Sequence, residues 1–315
     1  MNLRRAPLLR IRAPERYLDA ATHPPVEVPV SLMDANRKPR DDEIDVFGLT
    51  HQGKLRKDNQ DQFLLGTVHK RIQVLQTSLT ELDRIPLGDE RVAFLAMVAD
   101  GVGGGVGGQR ASATALEVVT EYVTSASDCF LSAAVAEEEF TESLRAAALR
   151  SHEAVRARAK VEAGGRAMAT TLTLWISLWP WYYLLQVGDS RYYLFRDGTL
   201  TQISRDQTIA QDLVDKGVLS QAAADRSRLS DVLSSAIGAD EAAPIVTRMR
   251  SDWGNVHLLC TDGLTKHVSD GRIKEILSAM TSSKQACEQL LQEALDGGGT
   301  DNITILVGRA IAKPA

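Results

Sequence analysis

The chain has little cysteine, few aromatic residues and no dominant charge sign. Its three cysteines, Cys129, Cys260 and Cys287, are far apart and odd in number. That excludes a disulfide framework and a cysteine zinc site, and it fits a reducing compartment, with the cytoplasm as the expected location. A formal net charge of -5 with both signs interspersed offers no basic face for nucleic acid and leaves proteins or small molecules as the expected partners.

Long apolar runs are scarce as well. Residues 167–188 carry no charge and by length alone would span a bilayer, but the interior of the run argues for a buried hairpin. "TTLTLWIS" alternates, with Leu172, Leu174 and Ile176 on one face, Pro180 breaks the run, and "YYLLQV" starts a second one. No membrane span is expected. The short apolar pieces near the start are interrupted by arginines, which does not suit a signal peptide.

Proline is sparse except at the beginning: positions 7, 14, 24, 25, 29 and 39 hold six of the 10 prolines, and five arginines fall by position 16. Residues 1–40 therefore read as a Pro/Arg-rich tail, either a leader or a basic arm for an acidic partner or membrane surface. Residues 41–312 read as one domain.

Within that domain "IDVFGLT", "DQFLLGT", "IQVLQT" and "VAFLAMVA" are strand-like, separated by polar or glycine-bearing turns. A helical block follows, with Ala115, Leu116, Val119, Tyr122, Val123 and Ala126 at i, i+3, i+4 spacing, and then a longer charged helix over about 133–161. Strands return at "TLTLWIS", "WYYLLQV" and "RYYLFR", the last leaving through Asp197-Gly198, which suits a tight hairpin turn. Residues 204–238 read as helical and polar. "NVHLLCT" is a strand, "DGRIKEILSAM" and "SKQACEQLLQEAL" are helices, and "NITILVGRAI" is a closing strand. Strand runs separated by paired helices, without strict alternation, indicate an α+β sandwich with helices covering stacked, mainly antiparallel sheets.

The glycine-rich "VADGVGGGVGGQRAS" tests this reading. Gly103, Gly105 and Gly108 match the dinucleotide fingerprint, but two helices run to about position 161 before another strand appears, so the required βαβ unit is missing. No Gly-Lys-Ser/Thr follows, which excludes a phosphate loop, and a single glycine stretch cannot build the calcium-binding repeat coil. Asp100, at the strand end, would repel an anion there unless a cation intervened.

Asp100 has counterparts. Asp189 in "QVGDSR" and Asp262 in "LLCTDGL" follow strands, Asp301 in "GGGTDNITIL" precedes one, and Asp61 in "KDNQDQF" stands at a strand start. One Asp beside Gly marks a turn. Five, each against an apolar strand, can meet at one sandwich edge, where their repulsion calls for cations. An oxygen-only set without His or Cys suits Mg²⁺ or Mn²⁺.

Taken in order, "LRKDNQD", "VADGVGG", "AMATTLTL", "VGDSR", "LLCTDGL" and "GGTDNITILV" resemble the successive motifs of the PPM-type metal-dependent serine/threonine protein phosphatases, the protein phosphatase 2C family, in its compact bacterial style. The likeness covers about residues 46–307. It implies a four-layer αββα sandwich with a dinuclear metal site at one edge and hydrolysis of phosphoserine and phosphothreonine in proteins by water activated between the ions. Asp100 would bridge two Mn²⁺ or Mg²⁺ ions, with the Gly101 carbonyl on one of them and Asp262 and Asp301 on the other. Asp61 would hold metal-bound water, Arg56 would grip the substrate phosphate, and Asp189 would help bind a third, weaker ion. Two metals and a guanidinium suit slow phosphate monoester chemistry without a protein nucleophile. Implied partners are phosphoproteins and a Ser/Thr kinase sharing them, with the chain acting as a monomer.

The chain departs from the family pattern at four places. Gln60 stands where many members carry Glu, Val102 where animal members carry His, and Gly105 where His is often found. Lys266 sits where animal members offer another acid to the third ion. Of the histidines at 51, 69, 152, 257 and 267, none is nominated as a general acid. Residues 204–240 resemble the family's variable flap, the expected source of selectivity. A catalytically weak or inactive regulatory phosphoprotein-binding module of the same fold is the alternative function.

Overall fold

A computed structural model describes residues 37–70, 90–103, 106–125, 137–162 and 168–312. Most of the expected tail, the "IQVLQT" strand, and Gly104 and Gly105 lie outside the described residues.

The strands are β1 (Ile44–His51), β2 (Gln62–Lys70), β3 (Glu90–Ala99), β4 (Gly101–Val102), β5 (Ala169–Thr170), β6 (Leu172–Leu178), β7 (Trp181–Val187), β8 (Arg191–Arg196), β9 (Thr199–Gln202), β10 (Ile245–Arg250), β11 (Val256–Cys260) and β12 (Ile303–Ala310). They form one sheet in the order β1-β12-β11-β8-β9, a second in the order β10-β7-β6-β3-β2, and a small β4-β5 pair. Every pairing between them is antiparallel. The helices are α1 (Val106–Ser125), α2 (Glu137–Glu162), α3 (Ile209–Asp215), α4 (Gln221–Ala224), α5 (Asp262–Thr265), α6 (Asp270–Ala279) and α7 (Ser283–Asp296).

Strand periodicity produces the layers. Along β3, Leu95, Met97 and Ala99 pack with Val119 of α1 and Leu144 of α2, whereas Ala96 and Val98 turn to the space between the sheets. On β12, Ile303, Ile305 and Val307 pack with Ile273 of α6 and Leu290 of α7, whereas Leu306 joins the inter-sheet core beside Leu259, Tyr182 and Tyr192. The expected αββα sandwich follows: two sheets face to face, each covered by a helical pair. The charge-free run is the buried β6–β7 hairpin, paired from Leu172↔Val187 to Leu178↔Trp181, and no helix among the described residues is long and apolar enough to cross a membrane.

One local expectation needs correction. Residues 204–238 do not form a continuous helix. They break into α3, α4 and a 3-10 turn at Arg228–Asp231, because Gly217 is left-handed (φ 71) and the Thr208 and Ser227 side chains cap new starts, while α4 begins at Ser220 without a side-chain cap. In addition, "IVTRMR", whose sequence pattern assigns it no element, forms β10, an edge strand whose half-buried residues show little alternation. The Asp197-Gly198 turn does join β8 to β9, with both residues left-handed (φ 49 and 73).

Candidate metal centre

Strand pairing brings the aspartates together. Gln62 of β2 pairs with Ala99 of β3, so Asp61 and Asp100 flank one end of the second sheet. Cys260 of β11 pairs with Ile305 of β12, so Asp262 and Asp301 flank the same end of the first. Asp189 lies in the turn between β7 and β8, where the chain crosses from one sheet to the other. Arg56, Asp100, Gly101, Asp189, Asp262 and Asp301 all line a cleft of about 760 Å³, together with Gln60, Lys266, His267 and Asn302.

Asp61 is buried behind the cleft, at 1% exposure. Its Oδ2 accepts hydrogen bonds from Thr261 Oγ1 at 2.8 Å and Thr304 Oγ1 at 2.7 Å. Asn59 Nδ2 donates to Thr50 Oγ1, which stands 2.9 Å from Thr304 Oγ1. Because the Thr304 proton is committed to Asp61, Thr50 is the donor to Thr304. The other oxygen, Asp61 Oδ1, is buried without a partner.

The Asp100 backbone is clamped on both sides. Its N–H donates to Thr171 Oγ1 at 2.9 Å, and its carbonyl accepts from the Thr171 N–H at 2.9 Å and Thr170 Oγ1 at 2.8 Å. Gly101 packs against α1 so closely that a Cβ on it would stand 2.4 Å from the Gly108 carbonyl, and a Cβ on Gly108 would stand 2.6 Å from Gln60 Oε1. The glycine stretch thus serves a backbone-to-backbone approach that seats the first turn of α1 against the strand end carrying Asp100.

Crowded acids make the centre electrostatically unfavourable. Burial pushes Asp61 up to about 7 despite its threonine donors, with Asp262 and Asp301 adding to the rise. Burial and then Asp61 and Asp262 hold Asp100 well above the carboxylate range. Burial and Asp262 push Asp189 up to about 8. Asp262 is raised by burial against the pull of Lys266. Asp301 alone is lowered: burial works to raise it, but bonds from Arg56 and Lys266 outweigh burial.

Arg56 Nε lies 2.7 Å from Asp301 Oδ1 and Nη2 lies 2.8 Å from Oδ2. Lys266 Nζ stands 2.6 Å from Asp262 Oδ2 and 2.8 Å from Asp301 Oδ2. Among the described residues no three acidic, histidine or cysteine side chains are drawn in close enough to enclose an ion as they stand. The donor set nevertheless fits a hard divalent cation. It consists of oxygens alone, Asp61 Oδ1 and Asp262 Oδ1 are buried without partners, and the repulsion that raises the acids is what a cation would relieve.

Sequence reading missed the supports. Asn302 accepts from Gln60 N at 2.9 Å and donates to the Gln52 and Asp58 carbonyls at 2.8 and 2.9 Å, tying the Arg56 loop to β12. Thr261 and Thr304 carry a legible signal, hydroxyls in otherwise apolar strand ends. Asn302 reads only as a turn residue. Lys266 is legible as a departure from the family pattern, but its double contact depends on the spacing between Asp262 and Asp301. The nominated residues do share one cleft, with Asp61 at its back.

The profile of the family described as Protein phosphatase 2C matches residues 82–297. The serine/threonine protein phosphatase PstP of Mycobacterium tuberculosis is 33% identical over 219 residues, which is 70% of this chain, and the chain spans 41% of that relative's length. A crystal structure of the Mycobacterium tuberculosis phosphatase PstP/Ppp is 28% identical, with a TM-score of 0.67 over 85% of this chain and 99% of that one. A structure of the catalytic domain of PstP in complex with two manganese ions is 27% identical, with a TM-score of 0.64 over the same 85% and 99%.

Proposed function

Because this chain belongs to the protein phosphatase 2C family, we propose that residues 41–312 form a metal-dependent protein phosphatase domain that hydrolyses phosphoserine and phosphothreonine in proteins. The observation that carries this reading is the convergence of Asp61, Asp100, Asp262 and Asp301 from both sheets on one edge, with buried carboxylate oxygens lacking partners.

Asp100 and the Gly101 carbonyl would hold one of two ions, and Asp100 with Asp262 and Asp301 the other. Asp61 would act through water, and Asp189 on a weaker third ion. When bound, Mn²⁺ or Mg²⁺ supplies Lewis acidity and positive charge for in-line displacement at phosphorus. The chain's own residues do the positioning. Thr170 and Thr171 fix the Asp100 backbone on both sides. Asp61 Oδ2 is held by Thr261 and Thr304, which leaves Oδ1 facing no protein donor and able to accept from water. Arg56 presents a planar fork with a half-exposed side chain, suited to trading Asp301 for two phosphate oxygens. Burial of the acids keeps the local dielectric low, so each charge acts strongly on the phosphoryl group.

The location proposed is cytoplasmic and the role one in signalling; the two free cysteines among the described residues, Cys260 and Cys287, are buried thiols, which fits a reducing compartment. The partners proposed are phosphoproteins and the kinase that modifies them, with the chain as a monomer. Hydrolysis of an aryl phosphate and a phosphothreonine peptide with Mn²⁺, with EDTA and in Asp100→Asn tests the reading. Mn²⁺-dependent turnover that EDTA and Asp100→Asn both remove is expected. EDTA-insensitive phosphopeptide binding without turnover would mark a binding module instead.

A further inference from the structure

We propose that Lys266 is a built-in counter-cation for the ion site of Asp262 and Asp301, holding both carboxylates in the metal-free protein and releasing them when the ion binds. The proposal rests on the metal-centre reading above.

Lys266 is the residue at the C-terminal end of α5, four positions after Asp262, which puts both side chains on one helical face. From there its ammonium reaches both sheet ends, 2.6 Å from Asp262 Oδ2 and 2.8 Å from Asp301 Oδ2. Arg56 occupies the other positions on Asp301. Of the four carboxylate oxygens in this pair, only Asp262 Oδ1 is buried without a partner.

A divalent ion such as Mg²⁺ takes carboxylate oxygens at about 2.0–2.1 Å. An ammonium that stayed on the same oxygens would stand a few ångströms from a double positive charge, in a partly buried site where such repulsion is weakly screened. The ion and the ammonium therefore exclude each other, and what a titration measures is an exchange. Lys266 is suited to leaving, because it is a point charge on a flexible stem with a 32% exposed side chain. It also has somewhere to go. A second pocket of about 410 Å³ shares Lys266, Asp189, Asp231 and Asp262 with the cleft and adds Asp225, and the one arginine on its wall, Arg191, is already paired with Asp206, so the path outward is lined mainly by acids. Lysine at this position thus trades metal affinity for a metal-free form in which Asp262 and Asp301 do not repel each other unopposed.

Calorimetric titration of Mn²⁺ into the full metal-free chain decides this, run on wild type, Lys266→Met and Lys266→Gln, with melting of each metal-free protein alongside. Both neutral variants should bind an Mn²⁺ ion about tenfold more tightly and, without metal, melt roughly 2–4 °C lower. Lys266→Arg, which keeps the charge, should show no tightening. Equal or weaker Mn²⁺ affinity in the neutral variants, or unchanged metal-free melting, overturns the role of Lys266 while leaving the metal centre standing. Absence of any Mn²⁺ site in wild type and variants alike overturns the metal centre and the proposal together.

Discussion

Thr304 Oγ1 donates to Asp61 Oδ2 across 2.7 Å, a bond from the inter-sheet face of β12 in one sheet to the residue that opens β2 in the other. It joins the two sheets at the edge where the acids collect. The Thr304 N–H also donates to Thr261 Oγ1 at 3.0 Å, so both donors to Asp61 are locked to each other.

Thr304→Val keeps the shape of the side chain and removes the donor. The buried carboxylate would then keep only Thr261 on Oδ2. A loss of about 1–3 kcal/mol is expected from urea denaturation of the metal-free protein, with reduced turnover as Asp61 loses its fixed orientation. A variant as stable and active as wild type would show that Thr304 does not hold Asp61.

Gly108→Ala places a methyl group 2.6 Å from Gln60 Oε1 and 2.9 Å from the Gly101 carbonyl. Overpacking of about 1–3 kcal/mol follows, and because the displaced backbone carries Gly101 and adjoins Asp100, activity should fall by more than stability alone explains. Gly198→Ala is the control. Its φ is +73 with nothing within 4 Å, so it should cost about 1 kcal/mol from the left-handed penalty and leave specific activity intact. Denaturation and turnover measured on both variants separate crowding from backbone strain.

Arg56→Lys retains charge but loses the fork. The KM for a phosphothreonine peptide should rise about tenfold while kcat changes less, since two donors in one plane become a single point charge. The melting temperature should barely move, because the Arg56–Asp301 pair has a 52% exposed arginine side chain and such pairs contribute little. A change in kcat alone would argue against a role in gripping phosphate.

His257 gives the pH dependence a direction. Burial lowers it from the model-compound value of 6.5 to about 4, and its Nδ1 meets Tyr192 OH at 2.7 Å among Trp175 and Tyr182. The folded value lies below the unfolded one, so the fold requires the neutral ring. Stability is full above about pH 6.5 and declines as pH falls toward 4, by roughly 2–3 kcal/mol for this residue. His257→Gln should flatten that decline in denaturation runs between pH 7 and pH 4.5. An unchanged slope in the variant would assign the acid sensitivity to other groups.

The layers were legible because strands buried on both faces, β3, β7 and β12, read as near-continuous apolar runs, β6 alternates, and the helices carry apolar stripes. The flap over 204–238 was not. Its side-chain composition is that of a polar helix, but capping residues and the left-handed Gly217 cut it into short turns, and local signals of that kind compete with composition. The edge strand β10 was hidden for a similar reason, since one side of it faces no sheet partner.

By itself the sequence determined that acids stand at strand ends and that their oxygens suit a hard cation, because residue type and strand boundaries are local properties; Arg56 entered only through the resemblance to a family. Only the tertiary structure decided that those ends share one edge, that Thr304, Thr261 and Asn302 hold them there, and that Lys266 spans Asp262 and Asp301. These are distances across two sheets, set by antiparallel register and by packing of the inter-sheet core between residues far apart in the chain.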